Sequence, residues 1–224
     1  HQVRAFLDLM AGRFGLILLG LTLLGVVGAP GLVSIIAPGF EDNSEKYHAT
    51  VVALRFTFPY LMFVSLVAMA GAILNTRDRF AVPAVTPVLL NFCLIGAVFG
   101  LLPLMANGAV ALSLGVLAAG FIQLGFQLPF LRIERRLPRP RVVAKGEEDR
   151  VGSAGVRRVF TLMLPAVFGV SVAQINLLVN TILASFLVTG SVSWLYYSDR
   201  LMEFPLGVFG IALATVILPA LSTQ

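Results

Sequence analysis

Six long apolar runs, separated by short polar stretches, organise the chain. They lie at about Phe14–Ile36, Thr50–Leu74, Phe80–Leu104, Val110–Leu131, Phe160–Val188 and Trp194–Ala220. A bilayer core about 30 Å thick takes about 20 apolar residues per helix. Each run is therefore long enough to cross as a helix, which satisfies its own backbone polar groups. Transmembrane β-strands would show alternation over about ten residues, and no such pattern is present. The pattern predicts an all-α, polytopic transmembrane helical bundle.

Composition agrees with that reading. The 224 residues are 58% hydrophobic and 12% charged, with mean hydropathy +0.94, which is unusual for a soluble domain. Length therefore counts spans rather than soluble domains. The single cysteine, Cys93, lies in an apolar run and excludes an internal disulfide or a Cys-rich metal site. The chain opens His1-Gln2-Val3-Arg4 without a signal-peptide pattern and stops soon after the sixth run. It reads as an internal piece of a longer protein.

Charge placement gives an orientation. Arg4 and Arg13 precede the first run, Arg77 and Arg79 follow the second, and nine Lys/Arg lie between Arg132 and Arg158. That puts 13 of the 16 basic residues on one side and Lys46 alone on the other, with Arg55 and Arg200 inside runs. Both ends of the chain and the basic loop are thus expected in the cytoplasm. The formal charge of +5 and pI near 10.0 are topogenic. The basic segment RIERRLPRPRVVAKGEEDR has no aromatic or groove-reading residues among its charges, so nucleic acid is not an expected partner. Contact of part of it with anionic membrane lipid suits its composition better. This loop, residues 132–159, is the expected boundary between an N-terminal part, 1–131, and a C-terminal part, 160–224.

Prolines recur in or near the runs, at Pro30, Pro59, Pro87, Pro165 and Pro205. Each frees a backbone carbonyl and permits a bend. Gly96-x-x-x-Gly100 is a spacing that lets helices approach closely, and Gly207, Gly210 and Ala214 form a small-residue stripe.

Most of the chemistry in the spans lies in the sixth run, which carries Asp199, Arg200 and Glu203 within five residues. Arg200 falls about 10 Å below the start of that run. A charge at the bilayer centre costs roughly 2.5–3.5 kcal/mol on insertion scales, so three charges need a reason. The spacings i, i+3 and i, i+4 let them share an ion-pair cluster that fastens this helix to a neighbour. The same residues could line a wet cavity, where the arginine fork suits a phosphate. Arg55 either snorkels to the interface or faces a cavity. Asn176 and Asn180, at i, i+4 with Gln174 nearby, either bond between helices or form a polar wall.

No enzyme constellation is present. His1 and His48 are far apart, and no P-loop, HExxH or GxSxG motif occurs. The acid clusters that hold Mg²⁺ in membrane transferases of prenyl phosphates are missing from the basic side. No cofactor and no metal site are expected.

Two stretches carry a family resemblance. GAILNTRDRFAVPAVTPVLLN, residues 71–91, and PAVFGVSVAQINLLVNTILASFLVTGSVSWLYYSDRLMEFPLGVFGIALATVILPALS, residues 165–222, resemble the MurJ (MviN) family of lipid II flippases. That family lies in the superfamily of MATE exporters and polysaccharide flippases. The resemblance implies that the six runs are similar to helices three to eight of about fourteen. Residues 1–131 would then be N-terminal-lobe helices, 132–159 the lobe linker, and 160–224 the first two C-terminal-lobe helices. It also implies a bacterial inner membrane, alternating access between lobes, and lipid II as the partner. Arg200 matches the family's cavity arginine in the eighth helix. As the resemblance implies, it would hold the pyrophosphate, while Asp199 and Glu203 orient or balance it; Asn176, Asn180 and Arg55 are further candidate lining residues. Some relatives have an acidic residue associated with sodium at the place of Asn180, which here is neutral, so the coupling ion is left open. The competing expectations are a MATE-like exporter or O-antigen flippase, a membrane enzyme acting on lipid-linked precursors, and a scaffold that does not transport.

Overall fold

The computed structural model describes residues 2–41, 43–144 and 147–205 and shows six α-helices. They are α1 (Gln2–Ile36), α2 (Ser44–Asn75), α3 (Ala81–Gly100), α4 (Gly108–Ile133), α5 (Glu147–Ser185) and α6 (Ser191–Pro205). Short 3-10 turns at Pro38–Phe40 and Leu102–Leu104 lie at the ends of α1 and α3. Five of the helices, α1 to α5, are long and apolar enough to cross a membrane. The chain is therefore an all-α polytopic membrane bundle. Residues 206–220 of the sixth run, with Gly207, Gly210 and Ala214, lie outside the described residues.

Local signals explain where the helices start. Asn43 caps α2 by accepting from the Lys46 N–H at 3.0 Å, and Asn107 caps α4 by accepting from the Ala109 N–H at 3.0 Å. At the basic end, α2 and α4 both stop in a left-handed residue, Asp78 (φ 58°) and Arg135 (φ 53°). The next residue's N–H then reaches back to Leu74 O (3.1 Å) or Leu131 O (2.9 Å). This is a Schellman stop built without glycine. The two stops are tied together, because Arg79 and Arg77 donate to Glu134 at 2.9 and 3.4 Å.

Packing runs outward from α2 and α4, which lie against each other along much of their length. α3 packs mainly on α4, α1 on α2, and α5 on α1. Glycines permit the closest approaches. A Cβ at Gly115 would lie 2.6 Å from Ala97 Cβ, and one at Gly25 would meet the Phe58 ring. Gly96 and Gly100 meet nothing within 4 Å. Among the described residues, close glycine contacts between helices are thus made at Gly115 on α4 and Gly25 on α1 rather than at Gly96 and Gly100 of α3.

Helices α1 and α5 outrun the membrane. At 1.5 Å per residue they are about 52 and 58 Å long. Their basic-end turns pack on each other, burying Leu9, Met10 and Val156 against Phe6, Phe14 and Phe160. The segment leaving α4 crosses this pair as a strap. Arg139 N–H donates to Asp8 Oδ1 (2.7 Å) and Arg141 N–H to Asp8 O (2.9 Å). Arg13 donates to Val142 O (3.2 Å) and to Ser153 Oγ (2.9 Å). Leu137 joins the cluster around Leu74 and Leu131.

The Glu134 tie gives a pH prediction. Its hydrogen bond from Arg79, and then Arg77, hold the carboxyl below the ordinary carboxylate range. A depressed carboxylate contributes stability above its ordinary pKa and loses it as pH falls through the lowered one. Amide exchange in the 76–80 turn is expected to quicken only below about pH 4. Glu134→Gln should show the quicker exchange at every pH. Equal rates for both proteins at neutral pH would remove this role.

Candidate functional site

Arg200 lies on α6, a helix that starts at Ser191 and presents most of its side chains to the surface. Its Nη1 donates to Glu203 Oε2 at 2.9 Å, one turn on, and its Nε donates to Tyr196 Oη at 3.3 Å, one turn back. The guanidinium also sits 5.3 Å from the Tyr196 ring centroid. Two of five N–H donors are used, so three remain for a ligand. Arg200 and Glu203 are 62% and 63% exposed, so the pair is accessible rather than sealed in the core. Asp199 is half-buried and joins neither residue in an ion pair. Adjacent helix positions diverge by about 100°, which is why Arg200 turns to the i+3 acid instead of its neighbour. Tyr196 is the partner that charge counting misses; its signal is the Tyr-x-x-x-Arg spacing.

Asn176 and Asn180 share one face of α5, exposed and half-buried respectively, and make no side-chain hydrogen bond among the described residues. Gln174 points elsewhere, into a groove with Ser171, Leu178 and Thr181. The open cavity of about 580 Å³ at the end opposite the basic loop involves Lys46, Asn107 and Ser191, and Arg200 is not among its lining residues.

Arg55 has a definite local partner. Pro30 in α1 lacks the N–H that would serve Val26 O, and Arg55 Nε donates to that carbonyl at 3.3 Å. One turn further along α1, Tyr47 Oη donates to Pro30 O at 3.0 Å. Arg55 thus replaces the hydrogen bond that the proline removes. Arg55→Leu is expected to cost about 1 kcal/mol. In a Pro30→Ala background, where the helix N–H returns, the same change should cost little. Equal costs in both backgrounds, read from thermal unfolding of the full-length parent, would sink this pairing.

No group of three or more His, Cys, Asp and Glu side chains that could hold a metal ion occurs among the described residues.

The comparisons with known proteins bear on the whole chain. A family profile described as "Lipid II flippase MurJ" matches residues 1–224. The chain belongs to the MurJ lipid II flippase family. MurJ relatives include a probable lipid II flippase of Vibrio cholerae, 46% identical over all of this chain and 43% of its own length. One from Haemophilus influenzae is 44% identical over 99% of this chain and 44% of its own. The lipid II flippase MurJ of Burkholderia cenocepacia is 38% identical over 98% and 42%. The chain therefore spans less than half the length of these curated MurJ relatives.

Proposed function

We propose that this chain is part of a transporter that moves lipid II, the undecaprenyl-pyrophosphate-linked peptidoglycan precursor, from the inner to the outer leaflet of a bacterial inner membrane. The transport serves peptidoglycan synthesis, cell-wall biogenesis and cell shape. The observation that carries the reading is Arg200. It is an accessible arginine in the sixth apolar run of the sequence, oriented on α6 by Tyr196 and Glu203 and with donors to spare. A diphosphate is a matching ligand, since charge-assisted, forked hydrogen bonds are what guanidinium gives best. Family membership over the full chain supports the same substrate class.

In this reading residues 1–131 supply four helices of an N-terminal lobe, 132–159 the lobe linker, and 160–224 the start of a C-terminal lobe. Asp199, Asn176, Asn180 and Arg55 are candidate residues for the polar path of the headgroup. The basic end faces the cytoplasm, in line with 13 of 16 basic residues there. The rest of the parent protein completes the path.

The test uses the full-length parent in cells depleted of their own lipid II flippase. Growth should be rescued and lipid II should reach the outer leaflet. Failure to move lipid II at normal membrane levels would turn the reading towards an exporter or another lipid-linked substrate.

A further inference from the structure

The joint between α3 and α4 contains a polar group left without a donor among the described residues. Pro87 lacks the N–H that would serve Pro83 O, so the first turns of α3 carry a broken ladder. Two glutamines one turn apart on α4 face that break. Gln123 Nε2 donates to Thr86 O at 2.9 Å, and Gln127 Nε2 donates to Thr86 Oγ1 at 2.9 Å. The Thr86 hydroxyl spends its one hydrogen on Val82 O at 3.1 Å, so it can only accept from Gln127. That fixes the amide orientation, with Nε2 on Thr86 and Oε1 turned away.

The two amides then differ. Gln123 Oε1 accepts from Tyr60 Oη at 3.4 Å. Gln127 Oε1 has no partner among the described residues, although Gln127 is only 1% exposed. A buried carbonyl left without a donor costs about 1–3 kcal/mol, and hydrocarbon offers no relief. Space for a donor exists beside it. A cavity of about 370 Å³ between α2, α3 and α4 is lined by Gln127, Pro83, Pro87, Gly71 and Asn75 among others. Glycine keeps it open on the α2 side, where a Cβ at Gly71 would lie 3.2 Å from Pro83 Cβ and 3.9 Å from Gln127 Nε2.

The chemistry of the lining selects the ligand. One buried acceptor, Gln127 Oε1, lacks a donor among the described residues, Pro87 gives Pro83 O no N–H, and no carboxylate is among the lining residues. A small neutral molecule with two hydrogens to give fits, whereas a bare cation would want several more oxygens or a negative charge. We propose that this cavity holds a bound water that donates to Gln127 Oε1 and completes the α3–α4 joint at the Pro83–Pro87 break. Buried waters that make two or more such bonds are integral to a structure and costly to remove. The proposal is independent of what the parent protein transports.

The deciding experiment is a structure of the full-length parent in lipid nanodiscs at a resolution that shows water. Density is expected about 2.8 Å from Gln127 Oε1, on the side of the cavity, and absent in Gln127→Met. Hydroxyl-radical footprinting reads the same claim in solution. Oxidation at Tyr60 and Pro87 should fall at least about threefold in Gln127→Met once the neighbouring water is gone. A dry cavity, or a side-chain donor from another helix on Gln127 Oε1, would overturn the proposal. So would a peak at about 2.4 Å with six oxygens around it, which is a cation.

Discussion

On the proposed function, replacing Arg200 by alanine in the full-length parent is expected to lower lipid II export by roughly 100-fold or more, with membrane level unchanged. The magnitude follows from the donors. A hydrogen bond to a charged group is worth about 1.5–3 kcal/mol, and Arg200 has three N–H groups left after Tyr196 and Glu203 take two. Losing two such bonds to a diphosphate already gives that factor. Arg200→Lys should recover only part of it, because a lysine keeps the charge but not the planar fork. Tyr196→Phe should cost less, since it frees the Nε donor while leaving the ring beneath the guanidinium. Glu203→Gln separates two roles. If Glu203 only aims Arg200, export falls; if it competes with the phosphate, export holds or rises. Outer-leaflet lipid II in flippase-depleted cells is the readout. Normal export by Arg200→Ala would make the arginine a packing residue and remove the main support for a phosphate site.

Hydrophobic runs made the membrane helices legible, but only their apolar lengths. The first run is readable from Phe14, yet α1 starts at Gln2. The fifth is readable from Phe160, yet α5 starts at Glu147. Those extra turns mix charged residues with apolar ones, and what holds them is each other and the strap. Leu9 and Val156 are buried at 0% and 1% exposure where the two helices meet, with Met69 and Ala144 packed on the same cluster. No window along one segment records that meeting. The Arg200–Glu203 contact was readable because i, i+3 neighbours on a helix always face each other. Asp199 shares a face with Glu203 at i, i+4, but both are acids, and the adjacent Arg200 is turned away from it by about 100°. Gln123 and Gln127 escaped notice for the opposite reason. Their partner Thr86 lies 37 and 41 positions away, and nothing short of the α3–α4 packing brings it near. Arg55 stood out as a charge in an apolar run, but its tie to a proline on another helix needed coordinates.

The strap across α1 and α5 yields the second large effect. Residues 137–142 follow a tight path in which Asp8, 3% exposed, receives the Arg139 N–H at its carboxylate and the Arg141 N–H at its main-chain oxygen. Gly12, one turn further along α1, touches the Arg141 backbone so closely that a Cβ there would overlap it. A flexible side chain could give way, but a main chain held at both ends cannot. Gly12→Ala should therefore lift the strap off α1. Overpacking of this kind costs about 1–3 kcal/mol, which is roughly a 5- to 150-fold rise in the open fraction. Tryptic cleavage after Arg141 in the full-length parent is the direct measure, and it should quicken by that factor. Asp8→Ala should quicken it as well, because two backbone donors lose their anchor or its orientation. Gly15→Ala is the control, since a Cβ there meets nothing within 4 Å, and its cleavage rate should match the parent. If all three variants are cut alike, the strap is not held by α1. If only Gly12→Ala and Asp8→Ala open, the basic segment is fastened to the first helix rather than hanging free, and any motion of α5 must carry that fastening with it.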